Sequence, residues 1–299
     1  MEVRISDLFD LQKITDSGQC FRVGLLPGAT YRFITGGNVL YIRKAAEETY
    51  EVSCDQDTWE RIWSPYFDLA RNYQDIRKAV PAEDPFLALA AQTGAGIRIL
   101  RQDPWEMLVT FIISQRKSIP AIRSVVELLS ERYGSKIRTP AETLYTFPTT
   151  SQLKDVHLED YIACKAGYRA PYLCDAVHQV LSGSLDLAGI ASLSDEALIS
   201  ALEGVKGVGV KVANCVALFA YGRTACAPVD TWIKKILLRE YAPKSHCTGH
   251  VPETRLCEAL IAENFSKYPG FAGVLQQYIF FYEREFSQKN TAGYERNQI

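Results

Sequence analysis

The sequence predicts an α+β fold: an N-terminal antiparallel β-sheet domain followed by a mostly α-helical body containing a helix–hairpin–helix. Three observations predict it. Residues 30–54, TYRFITGGNVLYIRKAAEETYEVSC, alternate in polarity and are rich in β-branched and aromatic residues. From about Asp84 onward the apolar period changes to that of a helix. Residues 204–215, GVKGVGVKVANC, place three glycines within six residues between two helical patterns.

The elements follow in order. Residues 1 to about 60 read as strands, with Gly36-Gly37-Asn38 turning a hairpin between Tyr31–Thr35 and Val39–Arg43. Thr49–Cys54 reads as the next strand, and 58–80 shows helical spacing. Pro85 opens a helix. Pro104 sits at a first-turn position, followed by the apolar stripe Trp105, Leu108, Val109, Ile112 and Ile113. Ile122, Val125, Val126 and Leu129 make a second stripe, and short helices are expected from there to Glu285. The last dozen residues are polar and expected to fray. The expected division is 1–90 for the β-rich domain, 91–190 for a helical domain, and 191–299 for the helix–hairpin–helix and C-terminal helices.

Composition narrows the function classes. Of 299 residues, 47% are hydrophobic and 23% charged, which suits a globular protein with a sizeable core. Net charge is -2, so an anionic partner must be held by a local patch or by backbone amides. The start, Met1-Glu2-Val3-Arg4, has no signal-peptide character, and no apolar run is long enough for a bilayer. A monomer without membrane contact is expected. Its place would be the cytoplasm, with the nucleoid in a bacterium or the nucleus in a eukaryote. Eight scattered cysteines without a C-x-x-C pair read as reduced thiols. His246, Cys247 and His250 form the one compact metal-ligand group. A polar loop is preferred to a zinc site there, because a matching second ligand pair is missing.

The glycine-bearing turn joins two helices. Ser194, Asp195 and Glu196 start the first, and the second runs from about Val210 to Tyr221. Glycines reach φ > 0 and let a ligand approach the backbone. The second helix opens with unpaired N–H groups at its positive dipole end, where a DNA phosphate fits without base contacts. A tight turn between bundled helices would explain the glycines equally well. Lys211 shifts the balance. The dipole and burial both disfavour a cation there, and a neutral amine is a nucleophile. Cys215, four residues on, shares its helix face. Asp230 reads as the N-cap of the next helix, whose first turns carry Lys234 and Lys235. A capping carboxylate can also face a cleft and stabilise a cationic transition state.

With these residues in place, the chain resembles the 8-oxoguanine DNA glycosylases of the helix–hairpin–helix superfamily over nearly its whole length. SGQCFR (17–22), GIRILRQDPWE (96–106), GYRAPY (167–172), GVGVKVANC (207–215) and AGVLQQYIFF (272–281) occur in the family's order. The resemblance implies a bifunctional glycosylase/lyase that needs no metal or organic cofactor and acts on double-stranded DNA containing an oxidised purine. By the same resemblance, Lys211 would attack C1′ and Asp230 would stabilise the oxocarbenium charge. The Gly18 carbonyl would accept from the N7–H that 8-oxoguanine has and guanine lacks. Gln276 would read the Watson–Crick edge, with Cys215 and Phe280 sandwiching the base. Tyr168 would wedge into the duplex, Arg169 would contact the orphaned base, and Gly207, Gly209 and Val210 would hold phosphate. Singly, Phe280 and Gln276 read as core and solvated side chains. With Lys211 and Asp230 they read as one site.

The chain departs from the better-known eukaryotic members. Arg116, Lys117 and Ser118 stand where those carry an asparagine run that reads the orphaned cytosine, and Ala121 replaces an arginine with the same task. A relaxed opposite-base preference is therefore expected, with Arg116 and Lys117 contacting phosphate instead. Trp232 replaces a phosphate-holding histidine, a contact that Lys235 could supply. Two rival readings are a monofunctional alkylated-base glycosylase, which would not need Lys211, and a non-catalytic helix–hairpin–helix DNA-binding protein, which would leave Lys211 and Asp230 unexplained. An iron–sulfur enzyme is disfavoured, because four closely spaced C-terminal cysteines are missing.

Overall fold

The computed structural model describes residues 1–80, 83–245, 252–265 and 267–296. Strands β1 (Glu2–Arg4), β2 (Val23–Leu26), β3 (Thr30–Thr35), β4 (Asn38–Ala46) and β5 (Thr49–Val52) form one antiparallel sheet in the order β1-β5-β4-β3-β2. The β3–β4 hairpin turns at Gly36, φ 53°, with Thr35 opposite Asn38. The buried face of the sheet packs Phe33, Leu40 and Ile42 onto Trp59, Trp63, Tyr66 and Phe67. Phe67 meets Phe9, Phe33 and Tyr66 edge-on at 5.1 Å, the geometry favoured by aromatic quadrupoles.

Two features of this region differ from the sequence reading. A helix, α1 (Leu11–Asp16), lies between β1 and β2; Asp10 caps it by accepting from the Lys13 N–H at 3.0 Å. Six residues are too few to reveal a helical period. The expected helix over 58–80 is broken: a π-helical turn, Trp59–Trp63, sits between short turns, and α2 (Tyr73–Lys78) follows separately, capped by Asn72.

The helical body comprises α3 (Pro85–Thr93), α4 (Pro104–Ser114), α5 (Ile119–Tyr133), α6 (Leu158–Ala163), α7 (Ala170–Leu181), α8 (Asp195–Glu203), α9 (Val210–Phe219), α10 (Thr231–Glu240), α11 (Glu253–Phe265) and α12 (Ala272–Arg296). Asp103 caps α4 ahead of Pro104, and every residue from Trp105 to Ile113 is buried, so α4 is the central post rather than a one-faced surface helix. Its core is shared with α9 and α12 through Leu108, Ile112, Val216, Leu218 and Leu275. A small hairpin, β6 (Lys136–Arg138) with β7 (Thr143–Tyr145), interrupts the helices between α5 and α6. Its turn is closed by the Thr139 hydroxyl, which donates to the Glu142 carbonyl at 2.9 Å. Strands of three residues carry no readable alternation. The polar tail expected to fray continues α12 as far as Arg296, since extending an existing helix needs no new nucleus.

His246, Cys247 and His250 lie outside the described residues. Among the described residues no group of three or more His, Cys, Asp or Glu could hold a metal ion, and no helix is long and apolar enough to cross a membrane.

Candidate active site

The hairpin is built as its residues dictate. Ser194 caps α8 by accepting from the Ala197 N–H at 3.3 Å, and α8 stops at Glu203. Gly207 has φ 82°, and a Cβ there would lie 2.3 Å from the Tyr172 ring. Glycine is thus required twice over, by conformation and by contact. Gly209 differs: it has φ −109°, and a Cβ would meet nothing within 4 Å. It is the N-cap of α9 and brings no side chain to the N–H groups of the first turn. Val210 beside them is exposed, and a helix start without a capping side chain is an anion-binding arrangement.

Six predicted residues from four parts of the chain meet at one cavity of about 60 Å³. Lys211, Cys215, Asp230, Gln276, Phe280 and Gly18 line it, together with Ser17, Phe111, Phe219, Pro228 and Gln277. Lys211 stands in the first turn of α9, half-buried, with its Nζ 5.4 Å from the centroid of the Phe111 ring. Phe111 stacks on Phe219 at 5.6 Å and 18°. Phe219 could have been found from the sequence, because 211, 215 and 219 are i, i+4 and i+8 on one helix. Phe111 offers no such signal; it looks like one more residue of a buried helix.

Burial pushes the Cys215 thiol pKa up, against the lowering influence of the neighbouring Lys211, so Cys215 presents a neutral wall. Asp230 caps α10 as expected, accepting from the N–H groups of Trp232 at 3.0 Å and Ile233 at 2.8 Å. The same carboxylate borders the cavity. On α12, Gln276 is buried, and its Oε1 has no hydrogen-bond partner. An orphaned buried acceptor beside a cavity is a group held ready for a ligand. Gly18 has φ 78°, and a Cβ there would lie 3.1 Å from Phe280 Cε1. The two sides of the slot therefore nearly touch. Any side chain at position 18 would intrude on the slot beside Phe280.

The residues expected at the duplex lie apart from this cavity, near the α4–α5 loop. Tyr168 is exposed and packs edge-on against Tyr172 at 6.3 Å. Arg169, expected to reach outward, is buried: its guanidinium lies 4.2 Å from the Tyr168 ring centroid and donates to the carbonyls of Ala166 and Gln115. Lys117 donates to the Lys165 carbonyl at 3.0 Å, while Arg116 is exposed with φ 52°. Burial, then Arg169 and Lys165, lowers the Lys117 pKa. Gln115 was not anticipated. Its side chain donates to the Gly207 carbonyl at 3.1 Å, tying this loop to the hairpin. Lys235 and Trp232 are exposed on the first turns of α10.

Comparison with known proteins gives consistent matches. Residues 2–108 match the family model of the 8-oxoguanine DNA glycosylase N-terminal domain. The chain is 29% identical over 221 residues to an N-glycosylase/DNA lyase of Arabidopsis thaliana, covering 72% of this chain and 58% of that one. It is 31% identical to an N-glycosylase/DNA lyase of Saccharomyces cerevisiae, covering 59% of this chain and 49% of that one. The chain thus spans about half to three-fifths of the length of these curated relatives. Against solved structures the match is nearly complete. The Clostridium acetobutylicum 8-oxoguanine glycosylase/lyase is 35% identical, with a TM-score of 0.85 over 94% of this chain and 95% of that one. A 3-methyladenine DNA glycosylase from Archaeoglobus fulgidus, 17% identical with a TM-score of 0.75 over 96% of this chain and 99% of that one, shares the fold alone.

Proposed function

The chain belongs to the 8-oxoguanine DNA glycosylase family, and on that premise we propose that it is a bifunctional DNA glycosylase/lyase that excises 8-oxoguanine and related oxidised purines from duplex DNA. The observation that carries the reading is the convergence of Lys211 and Asp230 on one cavity with Gly18, Cys215, Gln276 and Phe280. An amine, a carboxylate and an edge-reading amide between apolar walls are what base excision through a covalent intermediate needs. A non-catalytic DNA-binding protein has no use for them.

The target nucleotide must leave the stack, because neither C1′ nor the base edge is reachable within a duplex. Phosphate at the α9 N-terminus would hold the backbone while Tyr168 fills the gap. The base enters between Cys215 and Phe280, with its N7–H donating to the Gly18 carbonyl and its Watson–Crick edge meeting Gln276. The Lys211 amine attacks C1′ as the glycosidic bond breaks, and Asp230 stabilises the positive charge that develops on the sugar. The ammonium adduct gives up a proton, which neutralises the departing base anion, and the nitrogen lone pair then breaks the C1′–O4′ bond, O4′ taking up a proton as the protonated Schiff base forms. Abstraction of a C2′ proton then expels the 3′ phosphate by β-elimination, leaving a strand nicked 3′ to the site.

Borohydride trapping on an 8-oxoguanine duplex tests the assignment. Wild type should give a covalent protein–DNA adduct and Lys211→Gln none; no adduct from wild type, or an adduct from the variant, refutes it. Opposite-base preference follows from Arg116, Lys117 and Ala121. With no side chain in the position of a bidentate cytosine reader, a contact worth about 1–3 kcal/mol is missing. Excision opposite the four bases should therefore differ by less than about tenfold, measured as single-turnover rates on the four duplexes.

A further inference from the structure

The α12 helix carries more than the two residues that face the base. Gln277, buried beside Gln276, turns its Nε2 to the Ser17 carbonyl, and Arg284 donates to the Asp16 carbonyl at 2.6 Å. Positions 277 and 284 are seven apart and so share one helix face. On the other side of Gly18, the Gln19 carbonyl accepts from Gln102 Nε2 at 2.9 Å. The Gln19 side chain is itself pinned to the Arg98 carbonyl at 2.9 Å, to the Leu100 N–H at 2.8 Å and to the Ser17 hydroxyl at 2.8 Å. The carbonyls before and after Gly18 are thus both engaged by buried side chains. No described residue donates to the Gly18 carbonyl itself.

We propose that Gln277 is a positioning residue for lesion recognition: by holding the Ser17 carbonyl it fixes the peptide plane before Gly18, and with the Gln19 carbonyl held on the other side it limits the turning of the Gly18–Gln19 plane between them, which aims the Gly18 carbonyl at the base. The proposal rests on the base-excision reading above. Gly18, at φ 78°, is a residue whose peptide planes turn freely unless their neighbours are clamped. A single acceptor distinguishing one N–H must be held within a fraction of an ångström to discriminate. Because one helix presents Gln276 and Phe280 to the base and Gln277 to the reading loop, the two sides of the pocket keep one register. What the clamp aims is a contact to the base, and cutting a strand whose base is already gone does not use that contact.

The test uses the full chain with Gln277→Met, which keeps the shape but cannot donate, and Gln277→Glu, whose carboxylate repels the carbonyl. Each is assayed on two duplexes, one containing 8-oxoguanine and one containing a preformed abasic site. Abasic-site cleavage reports an intact Lys211 centre. Single-turnover excision of 8-oxoguanine should fall about tenfold with Met, the scale of one buried hydrogen bond, and further with Glu. Abasic cleavage should fall by a clearly smaller factor than excision in both variants, since it needs no contact with a base. Competition by undamaged guanine duplex should rise in both variants. Two results overturn the proposal: wild-type excision in a variant that still cleaves the abasic duplex, or parallel loss of both activities in both variants. Failure of the underlying reading is seen separately, as wild type that processes neither duplex.

Discussion

At the scale of single residues, the structure shows which unusual choices carry chemistry and which carry stability. Lys211 and Asp230 are legible in the sequence because each is an odd residue for its place, a cation at a helix start and a cap after a stiff Pro228 loop; Gly18 is reached only through the family resemblance. Glu106 looks ordinary, an acidic residue in the first turn of α4, yet it is 5% exposed. Burial raises its pKa to about 8; Arg22 works against this, and Asp103 and Glu127 add to it. The folded state therefore keeps a proton that the unfolded chain releases near the ordinary carboxylate value. Stability is greatest below that value, falls as pH rises toward 8, and is level above it. The loss is on the order of 5 kcal/mol at one and a third kcal/mol per pKa unit. Glu106→Gln, neutral at every pH, should remove this slope. Thermal midpoints of the two proteins should agree near pH 4.5 and diverge steadily to pH 8, with the variant the more stable.

At the scale of elements, the helix–hairpin–helix separates two jobs that a run of glycines hides. Periodicity and caps make α8, α9 and α10 readable to within two residues. Which glycine is needed for what is not readable, because it depends on Tyr172, thirty-five positions away from Gly207. Gly207 serves the fold, since any side chain collides with that ring. Gly209 has open space and an unremarkable φ, so the fold tolerates other residues there. Aspartate at an N-cap accepts from the first-turn N–H groups and suits the helix dipole, for a few tenths of a kcal/mol over glycine. In doing so it occupies the amides proposed to hold phosphate and adds a negative charge. Gly209→Asp should hold or raise the thermal midpoint while weakening duplex affinity by at least about tenfold. Gly207→Ala should lower the midpoint. A Gly209→Asp variant that binds duplex as well as wild type in fluorescence anisotropy would remove the hairpin from the DNA interface.

At the scale of the whole molecule, the active site exists only because the sheet-bearing region and the helical body are locked together. Gly18 comes from one, and Lys211, Asp230 and Gln276 from the other. No pattern in the sequence announces the lock, because its bonds join residues far apart along the chain. Arg98 is its centre: fully buried, it pairs with Asp7 at 3.1 Å and donates to the carbonyls of Phe67 at 2.9 Å, Asp68 at 2.7 Å and Arg71 at 2.6 Å. Lys13 adds bonds to the Thr93 and Ala95 carbonyls at 2.9 Å each, and Arg22 pairs with Glu127 at 3.1 Å. Arg98→Met would take the side-chain donor from the Phe67 and Arg71 carbonyls and the nearer cation from Asp7, which keeps the Tyr73 N–H at 2.6 Å and Arg77 at 3.7 Å, a loss of about 3 kcal/mol, the lower end of the range for removing one member of a buried pair. For a chain of this size that corresponds to a fall of several degrees in the thermal midpoint. With Trp105 of the helical core and the exposed Trp232 replaced by Phe in both proteins, the remaining Trp59 and Trp63 report on the core of the sheet, whereas the helical signal comes mainly from the rest of the chain. With Arg98 in place, tryptophan fluorescence and far-ultraviolet circular dichroism should melt together. In Arg98→Met the fluorescence transition should come first, and excision of 8-oxoguanine should disappear with it. Coincident, unshifted transitions in the variant would mean that Arg98 is not needed to hold the two regions together.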